Sequence, residues 1–425
     1  MTRRNRAISR GWALLSTALL LALAPGASAP ALAGETLRVG TSGDYAPFSR
    51  AEGQSSPEGF DIALLQAWAE ESGRELEWVR FAWPALRSDL AAGRFDLAAS
   101  GVTVRPERSA VGRFTVPLTE TGAFALARTP ERWSEKTSLD RPQIRIAVNA
   151  GGHLERVARR AFPHATLLAL PDNAGVPGLL AEEAVDAVVT DSAELPHWEA
   201  QIDAPLARIG PLTRDRKAWL VRADRPALAA ELDAWLLARE ADGRLAAARA
   251  QWLSGVEELE SLTGARTAEP LLALLAAMDE RLELMPLVGF IKRRDGLALE
   301  VPEREARVIE SALENLRAAA ETAGVEPPDE AAVGAFFRAQ MAAAKAVQWR
   351  AVKDDDFRPA ELPDLDDALR PALLRIGARI AQLLLTLPTG LEADAVGAAA
   401  ARSLRAPYLE PADRESLAEA IAALR

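Results

Sequence analysis

The 425-residue sequence contains no cysteine. That removes disulfide frameworks, thiolate metal sites and thiol nucleophiles together. Histidine is nearly as scarce: His153, His164 and His197 are the full complement, they are scattered, and no H-E-x-x-H is present, so no metal site is expected. A basic excess is missing as well, since the net charge is −11, and this argues against a nucleic-acid partner. The apolar run Trp12–Ala24 is too short to span a bilayer comfortably. What remains is 26% charged and 49% hydrophobic, an ordinary globular composition on a chain long enough for two or three domains.

Residues 1–33 stand apart. Arg3, Arg4, Arg6 and Arg10 form a positive start, the apolar run follows, Pro25-Gly26 breaks it, and Ala31-Leu32-Ala33 offers a small-residue cleavage site, with Ala27-Ser28-Ala29 as a second. This pattern predicts a cleaved secretory signal and a periplasmic protein without a membrane anchor. Removing the segment takes away four positive charges and no negative one, leaving −15. An exported chain without cysteine has to be held together by packing.

From Glu35 to about Ser254, short β-type runs alternate with helical stretches. Leu37–Thr41, Glu77–Val79, Phe95–Ser100, Ile144–Val148 and Val185–Thr190 read as strands, and Ile62–Glu71 as a helix. The alternation predicts an α/β fold, and its restart near residue 140 predicts two lobes. Beyond Gly264 the strand signal stops. Leu271–Arg294, Glu303–Ala323, Asp329–Val352 and Pro363–Leu387 carry apolar residues at helical spacing, which predicts an all-α bundle. The expected organisation is a signal over 1–33, an α/β domain over 34–254, a linker over 255–269 and a helical domain over 270–425.

Ligands of open α/β sheets bind beyond the carboxyl ends of the strands. The polar clusters at those places contain Asp44 and Tyr45, then Ser100, Thr103 and Arg108, then Asn149, then Asp191 and Glu194, with Trp83 as a flat wall. Backbone amides, a hydroxyl and an arginine fork suit a carboxylate. Each residue also has a structural explanation: Asp44 as a turn former, Trp83 as core, Arg108 in a surface ion pair, Glu194 as a helix-start carboxylate.

The stretch Thr41-Ser42-Gly43-Asp44-Tyr45-Ala46-Pro47-Phe48, with Gly59-Phe60-Asp61, Arg94-Phe95-Asp96 and Ser100-Gly101-Val102-Thr103 leading to Glu107-Arg108, resembles the periplasmic solute-binding proteins that take polar amino acids. More narrowly, Trp83-Pro84-Ala85-Leu86, Val148-Asn149, Pro171-Asp172-Asn173, Thr190-Asp191 with Glu194, and Lys217-Ala218-Trp219-Leu220 resemble the cyclohexadienyl dehydratases built on that fold. The resemblance covers about residues 36–253. It implies a two-lobed periplasmic-binding-protein-like domain, Glu194 as general acid, and Arg108 with Thr103 as a carboxylate clamp. One departure is visible: those enzymes commonly carry Gly-Gly-Thr-Asn where this chain has Gly151-Gly152-His153-Leu154.

In the helical half, Arg281 and Lys292 are 11 residues apart, which returns to one helix face within about 20°. Arg304 beside Glu305, Gln348 and Arg370 fall on the following helices, so the pattern admits an interior anion site as well as solvated helix faces. Asp279-Glu280-Arg281-Leu282-Glu283-Leu284-Met285-Pro286 through Phe290-Ile291-Lys292-Arg293-Arg294 resembles the exported all-helical chorismate mutases, as do Glu303-Arg304-Glu305, Phe336-Phe337, Ala343-Ala344-Lys345-Ala346, Gln348, and Pro363-Asp364-Leu365 ahead of Arg370. The resemblance implies that Arg281 and Arg370 take carboxylates, that Lys292 and Gln348 face the ether oxygen, and that Arg304 with Glu305 serves the ring hydroxyl region. Ala344 departs from it, since related enzymes often place a hydroxyl residue there.

Together the two resemblances imply a bifunctional enzyme of aromatic amino acid biosynthesis. The helical half would turn chorismate into prephenate and the α/β half prephenate into phenylpyruvate, with L-arogenate to phenylalanine open to the same cleft. Neither chemistry calls for an organic cofactor or a metal. Two rivals stand beside this reading: an amino-acid-binding module fused to an active mutase, and a sensory or scaffolding protein whose sites have decayed. Oligomeric state is not set by the sequence.

Overall fold

The computed structural model describes residues 36–53, 55–133, 135–253, 268–359 and 362–424, so the expected signal segment and most of the expected linker lie outside the described residues. The α/β half has two sheets. In the first, strand Thr36–Thr41 lies between Glu75–Arg80 and Leu97–Ala98, all parallel, and Leu220–Arg222 and Gly112–Phe114 complete it antiparallel. In the second, Arg145–Asn149 lies between Thr166–Leu170 and Ala187–Asp191, again parallel, and Ala123–Arg128 and Leu206–Ile209 follow antiparallel. Ile146 and Val148 pack with Phe162 on one face of that sheet while Ala147 packs with Trp198 on the other. Both faces are covered, which is why the sequence shows an unbroken apolar run rather than an alternation.

The chain leaves the first lobe through Thr119–Thr121 and returns through Asp215–Lys217. These two segments pair antiparallel as a ribbon between the lobes, Thr121 opposite Asp215 and Thr119 opposite Lys217. The expected strand over Phe95–Ser100 is shorter than its sequence suggests, Leu97–Ala98 only, because the chain bends at Gly101. Gly101 has φ +61°, and a Cβ there would lie 2.6 Å from the Phe48 ring and 2.7 Å from Tyr45. Its N–H instead reaches Asp61 Oδ2 at 2.6 Å, which ties the cleft floor to helix Phe60–Ser72.

The second half is helical throughout its described residues: Pro270–Glu283, Met285–Arg294, Pro302–Ala323, Glu330–Lys353, Arg370–Leu384, Ala393–Ser403 and Pro411–Ala422. The helix expected over Leu271–Arg294 is broken at Leu284. Pro286 has no N–H for the carbonyl one turn earlier, so the ladder cannot run through. The helix expected over Pro363–Leu387 begins as a π-helical turn, Leu365–Leu369, and becomes regular at Arg370. Asp364 starts that turn by accepting the amides of Asp366 and Asp367, each at 2.7 Å. One continuous core joins Leu37, Trp68 and Trp219 of the first lobe to Leu274, Met278, Phe336 and Ile380 of the helices. The second lobe keeps its own two clusters. Among the described residues, no helix is long and apolar enough to cross a membrane.

Candidate active sites

Strand ends from both sheets converge on a cleft of about 350 Å³ between the lobes. Five of the residues expected there, Tyr45, Trp83, Thr103, Arg108 and Asn149, line it. Asp44 supports the wall from behind by accepting the Trp83 Nε1–H at 3.2 Å. Ser100, Asp191 and Glu194 are fully or nearly fully buried and do not line the cleft themselves. Ser100 Oγ is 2.8 Å from Ser42 Oγ, closing the first strand end.

Lys217 is the residue around which this cleft is organised. It projects from the interlobe ribbon, and its Nζ reaches Tyr45 Oη at 2.9 Å, Thr103 Oγ1 at 3.0 Å and Asp191 Oδ2 at 3.0 Å. The Tyr45 hydroxyl donates onward to Asp191. Burial and the adjacent Asp191 carboxylate push that phenol well above its ordinary range, so it stays protonated. Asp191 also accepts the amides of Ala193 at 2.9 Å and Glu194 at 3.2 Å. Arg108 lies 5.7 Å from the Trp83 ring centroid and donates to the Thr103 carbonyl at 2.9 Å. Burial, with the neighbouring Arg105, pulls its pKa down to about 9.

Glu194 stands one side chain behind the wall. Its two carboxyl oxygens contact Asn173 Nδ2 and Thr190 Oγ1, each at 2.7 Å, and Asn173 lines the cleft. Burial and then the charge of Asp191 raise its pKa well above the carboxylate range, against the pull of those two hydrogen bonds. A carboxyl biased toward its protonated form therefore stands beside the cleft.

His153 occupies the position noted as a departure, and it joins three segments. Its Nδ1 is 3.2 Å from Arg105 Nη1, and its Nε2 is 2.9 Å from Asp215 Oδ1. Arginine can only donate, so Nδ1 accepts and the ring proton sits on Nε2, facing Asp215. Burial holds the ring below its ordinary pKa, in the neutral form this arrangement needs. Despite its own burial, Asp215 is held down to about 2 by His153 and Lys217. Lys217, Asn173 and His153 were not among the expected site residues. The alternation in Asp215-Arg216-Lys217, which puts the first and third side chains on one face of a strand, is the signal that points to Lys217.

In the helical half, Arg281 and Gln348 share one feature. Arg281 Nη1 and Gln348 Oε1 are buried without a hydrogen-bond partner. Gln348 packs on the helix that follows Arg281: its Nε2 is 3.4 Å from Met285 Sδ and 3.3 Å from the Ala344 carbonyl. The helices meet closely at Gly289, where a Cβ would stand 3.1 Å from Gln348 Cα. Burial alone lowers the Arg281 pKa to about 10. The break at Leu284 separates Arg281 from Lys292, so their common face is not that of one uninterrupted helix. Lys292 Nζ donates to the Leu299 carbonyl at 3.1 Å. Arg370 pairs with Asp366 one turn earlier on its own segment. Glu305 pairs with Lys345 at 3.0 Å, joining helices Pro302–Ala323 and Glu330–Lys353, and Arg304 falls in the first turn of the former. Among the described residues, no group of His, Asp and Glu could hold a metal ion.

Comparison with known proteins separates the chain in the same way. Residues 272–349 match the family model of chorismate mutase type II. A cyclohexadienyl dehydratase of Pseudomonas aeruginosa is 34% identical over 160 residues, 37% of this chain and 60% of that protein, so the match stops short of the relative's full length. An ABC transporter arginine-binding protein of Escherichia coli is 27% identical over 185 residues, 44% of this chain and 73% of the relative. Among solved structures, an ancestral amino acid-binding protein described as a precursor of cyclohexadienyl dehydratase is 28% identical, with a TM-score of 0.48, covering 52% of this chain and 96% of that one. Residues 37–255, more than half of the chain, match the model of bacterial extracellular solute-binding proteins, family 3, and the protein belongs to that family.

Proposed function

We propose that the protein is a bifunctional enzyme: its helical half isomerises chorismate to prephenate, and its α/β half converts prephenate to phenylpyruvate, with L-arogenate to phenylalanine as the parallel reaction. The observation that carries the second activity is the make-up of the cleft. Its lining contains two cations, Arg108 and Lys217, and no carboxylate, while a buried carboxyl biased toward its protonated form, Glu194, stands directly behind Asn173. Arg108 with Thr103 holds a substrate carboxylate. The ring carboxylate leaves as CO2 while Glu194 gives its proton to the departing C4 hydroxyl, which leaves as water. The bonding pair from the broken C–C bond aromatises the ring. For Glu194 to reach the substrate, the Asn173 amide has to turn aside.

The mutase step is a pericyclic shift and needs no nucleophile, metal or acid–base relay. Arg281 and Arg370 hold the two carboxylates, Lys292 and Gln348 stabilise charge on the ether oxygen, and Arg304 with Glu305 serves the ring hydroxyl. Residues 1–33 act as a cleaved signal that delivers the enzyme to the periplasm, which the amino-terminal sequence of the exported protein tests.

A second reading keeps the mutase and makes the α/β half an amino-acid binder, and the position of Asn173 between Glu194 and the cleft favours it. Incubating the purified protein with prephenate at neutral pH and following phenylpyruvate decides between them. Product above the uncatalysed background supports the dehydratase; none removes it.

A further inference from the structure

The ribbon between the lobes faces two ways. Alternate side chains of a strand point to opposite faces. Asp215 and Lys217 both turn to the cleft side of the ribbon, Asp215 from behind the wall to His153 and Lys217 to Tyr45, Thr103 and Asp191. Arg216, between them, turns into the helical half. Its Nη1 donates to Asp279 Oδ2 at 2.6 Å, its Nη2 donates to the Ser403 carbonyl, and the residue is only 8% exposed. On the opposite strand, Glu120 is 3.3 Å from Arg216 Nε and receives both terminal nitrogens of Arg405, at 2.7 and 3.2 Å. Asp279 in turn accepts the amides of Arg405 at 2.6 Å and Ala406 at 2.8 Å.

A second attachment grips the short helix Pro106–Ser109, which carries Arg108. Ser109 Oγ donates to Glu280 Oε1 at 2.7 Å, and Arg379 Nη1 holds the other oxygen of that carboxylate at 3.0 Å. Arg375 Nη2 donates to the carbonyls of Ser109 and Ala110 at 3.1 and 3.2 Å. Asp279 and Glu280 come just before Arg281, so one helical turn supplies the grip on the cleft and a member of the proposed mutase site.

We propose that the helical half fixes the geometry of the interlobe cleft. Arg216 and Ser109 are the positioning residues through which Asp279 and Glu280 hold the cleft's two cations, Lys217 and Arg108. Both chain crossings run through the ribbon, so the lobes cannot rotate against each other without twisting it. A ribbon anchored by buried ion pairs resists that twist, because removing one partner strands the other's charge. The kinetic arm of the test rests on the dehydratase reading above; the geometric arm does not.

The absence of cysteine makes the geometric arm direct. Gln66→Cys and Arg160→Cys place two spin labels at exposed positions, one on each lobe, in the full chain. Pulsed electron-spin distance measurement should give one narrow interlobe distance in this labelled parent. Adding Arg216→Gln should broaden or shift it, and adding Arg216→Lys should restore it in part. In the kinetic arm, Arg216→Gln and Ser109→Ala should each raise KM for prephenate about tenfold, with a smaller change in kcat, as expected when a charge-assisted contact is misplaced. The mutase rate should stay within about twofold, which certifies the fold. If Arg216→Gln loses mutase activity and so does not fold, Arg405→Gln cuts the more accessible Glu120 contact and carries the same prediction. A parent that makes no phenylpyruvate overturns the dehydratase reading and leaves the distances to decide this one. An interlobe distance unchanged by the folded charge-removing variant overturns the proposal.

Discussion

Arg281 offers a test in which stability and activity should move in opposite directions. Burial alone pulls its pKa down to about 10, and its Nη1 is buried without a partner. A cation whose folded pKa lies below its unfolded value costs stability at every pH below the folded value, and the cost disappears only above the unfolded one. At pH 7 it is therefore fully present. A lowering of this size corresponds to about 3 kcal/mol. The side chain keeps some solvent access, so screening makes this an upper limit. Arg281→Met keeps the length and removes the charge, and it should raise the thermal midpoint by several degrees, at ~2–4 °C per kcal/mol for a unit of this size. The mutase rate should fall about 100-fold or more, the value of a lost charge-assisted carboxylate contact. A dicarboxylate ligand should stabilise the parent more than the variant. Scanning calorimetry with and without ligand, beside a chorismate-consumption assay, reads all three. A variant that melts earlier and keeps its mutase rate would refute the reasoning, because the guanidinium would then be a structural group.

The remaining predictions concern the acid, the cleft floor and the helix contact. Glu194→Gln should cut phenylpyruvate formation by about 10²–10⁴-fold and leave the mutase unchanged, since it removes a general acid from one half only. In the parent, the dehydration rate should decline with rising pH as the Glu194 carboxyl, whose pKa burial raises, ionises, whereas Gln348 does not titrate and gives the mutase no such limb. Asp61, whose pKa burial raises from 3.8 to about 6, makes the folded state hold its proton longer than the unfolded chain. Stability should therefore fall by about 3 kcal/mol as pH rises from 3.8 to 6, and Asp61→Asn should flatten that segment of a urea-midpoint profile. Gly289→Ala should cost about 1–3 kcal/mol in urea unfolding and lower the mutase rate, since the new methyl meets the Gln348 backbone at 3.0 Å.

Much of the scaffold was legible because the chemistry of its elements is local. Ile144–Val148 and Val185–Thr190 are rich in β-branched and apolar residues, and the polar residues that follow them fall at strand ends by the geometry of parallel sheets. Legibility failed where position depends on pairing between distant segments. Strand Ala123–Arg128 is half alanine and carries no strand signal of its own; it exists because Ala187–Asp191 and Leu206–Ile209 pair with its two edges. The ribbon that presents Lys217 joins residues almost a lobe apart in sequence, so no window of the chain contains it. Same-face arithmetic for Arg281 and Lys292 assumed an unbroken helix, and Pro286 ended it at Leu284. Nothing in the sequence marks Asp279 and Glu280 as contacts between the halves, yet both are buried against the other half. Charge periodicity on one helix says nothing about which neighbour will cover it.

Local arrangement, rather than total charge, decides what the cleft accepts. A net charge of −11 repels an anion at long range, but that field fades over about 8–10 Å at ordinary salt. Within that distance the lining matters, and the wall presents Arg108 and Lys217 while the nearby carboxylates sit behind it, each covered by donors. Asp191 is covered by Tyr45, Lys217 and two amides; Asp215 by His153 and the Thr213 hydroxyl at 2.6 Å. Glu194 is neutral in the protonated form its burial favours. A ligand with two carboxylates therefore meets donors on the wall, whereas the ammonium of an amino acid would have to draw Asp191 or Asp44 away from partners they already serve. On the dehydratase reading, prephenate, with two carboxylates and no ammonium, should therefore bind this wall better than a free amino acid, and arogenate, with one ammonium, should fall between them.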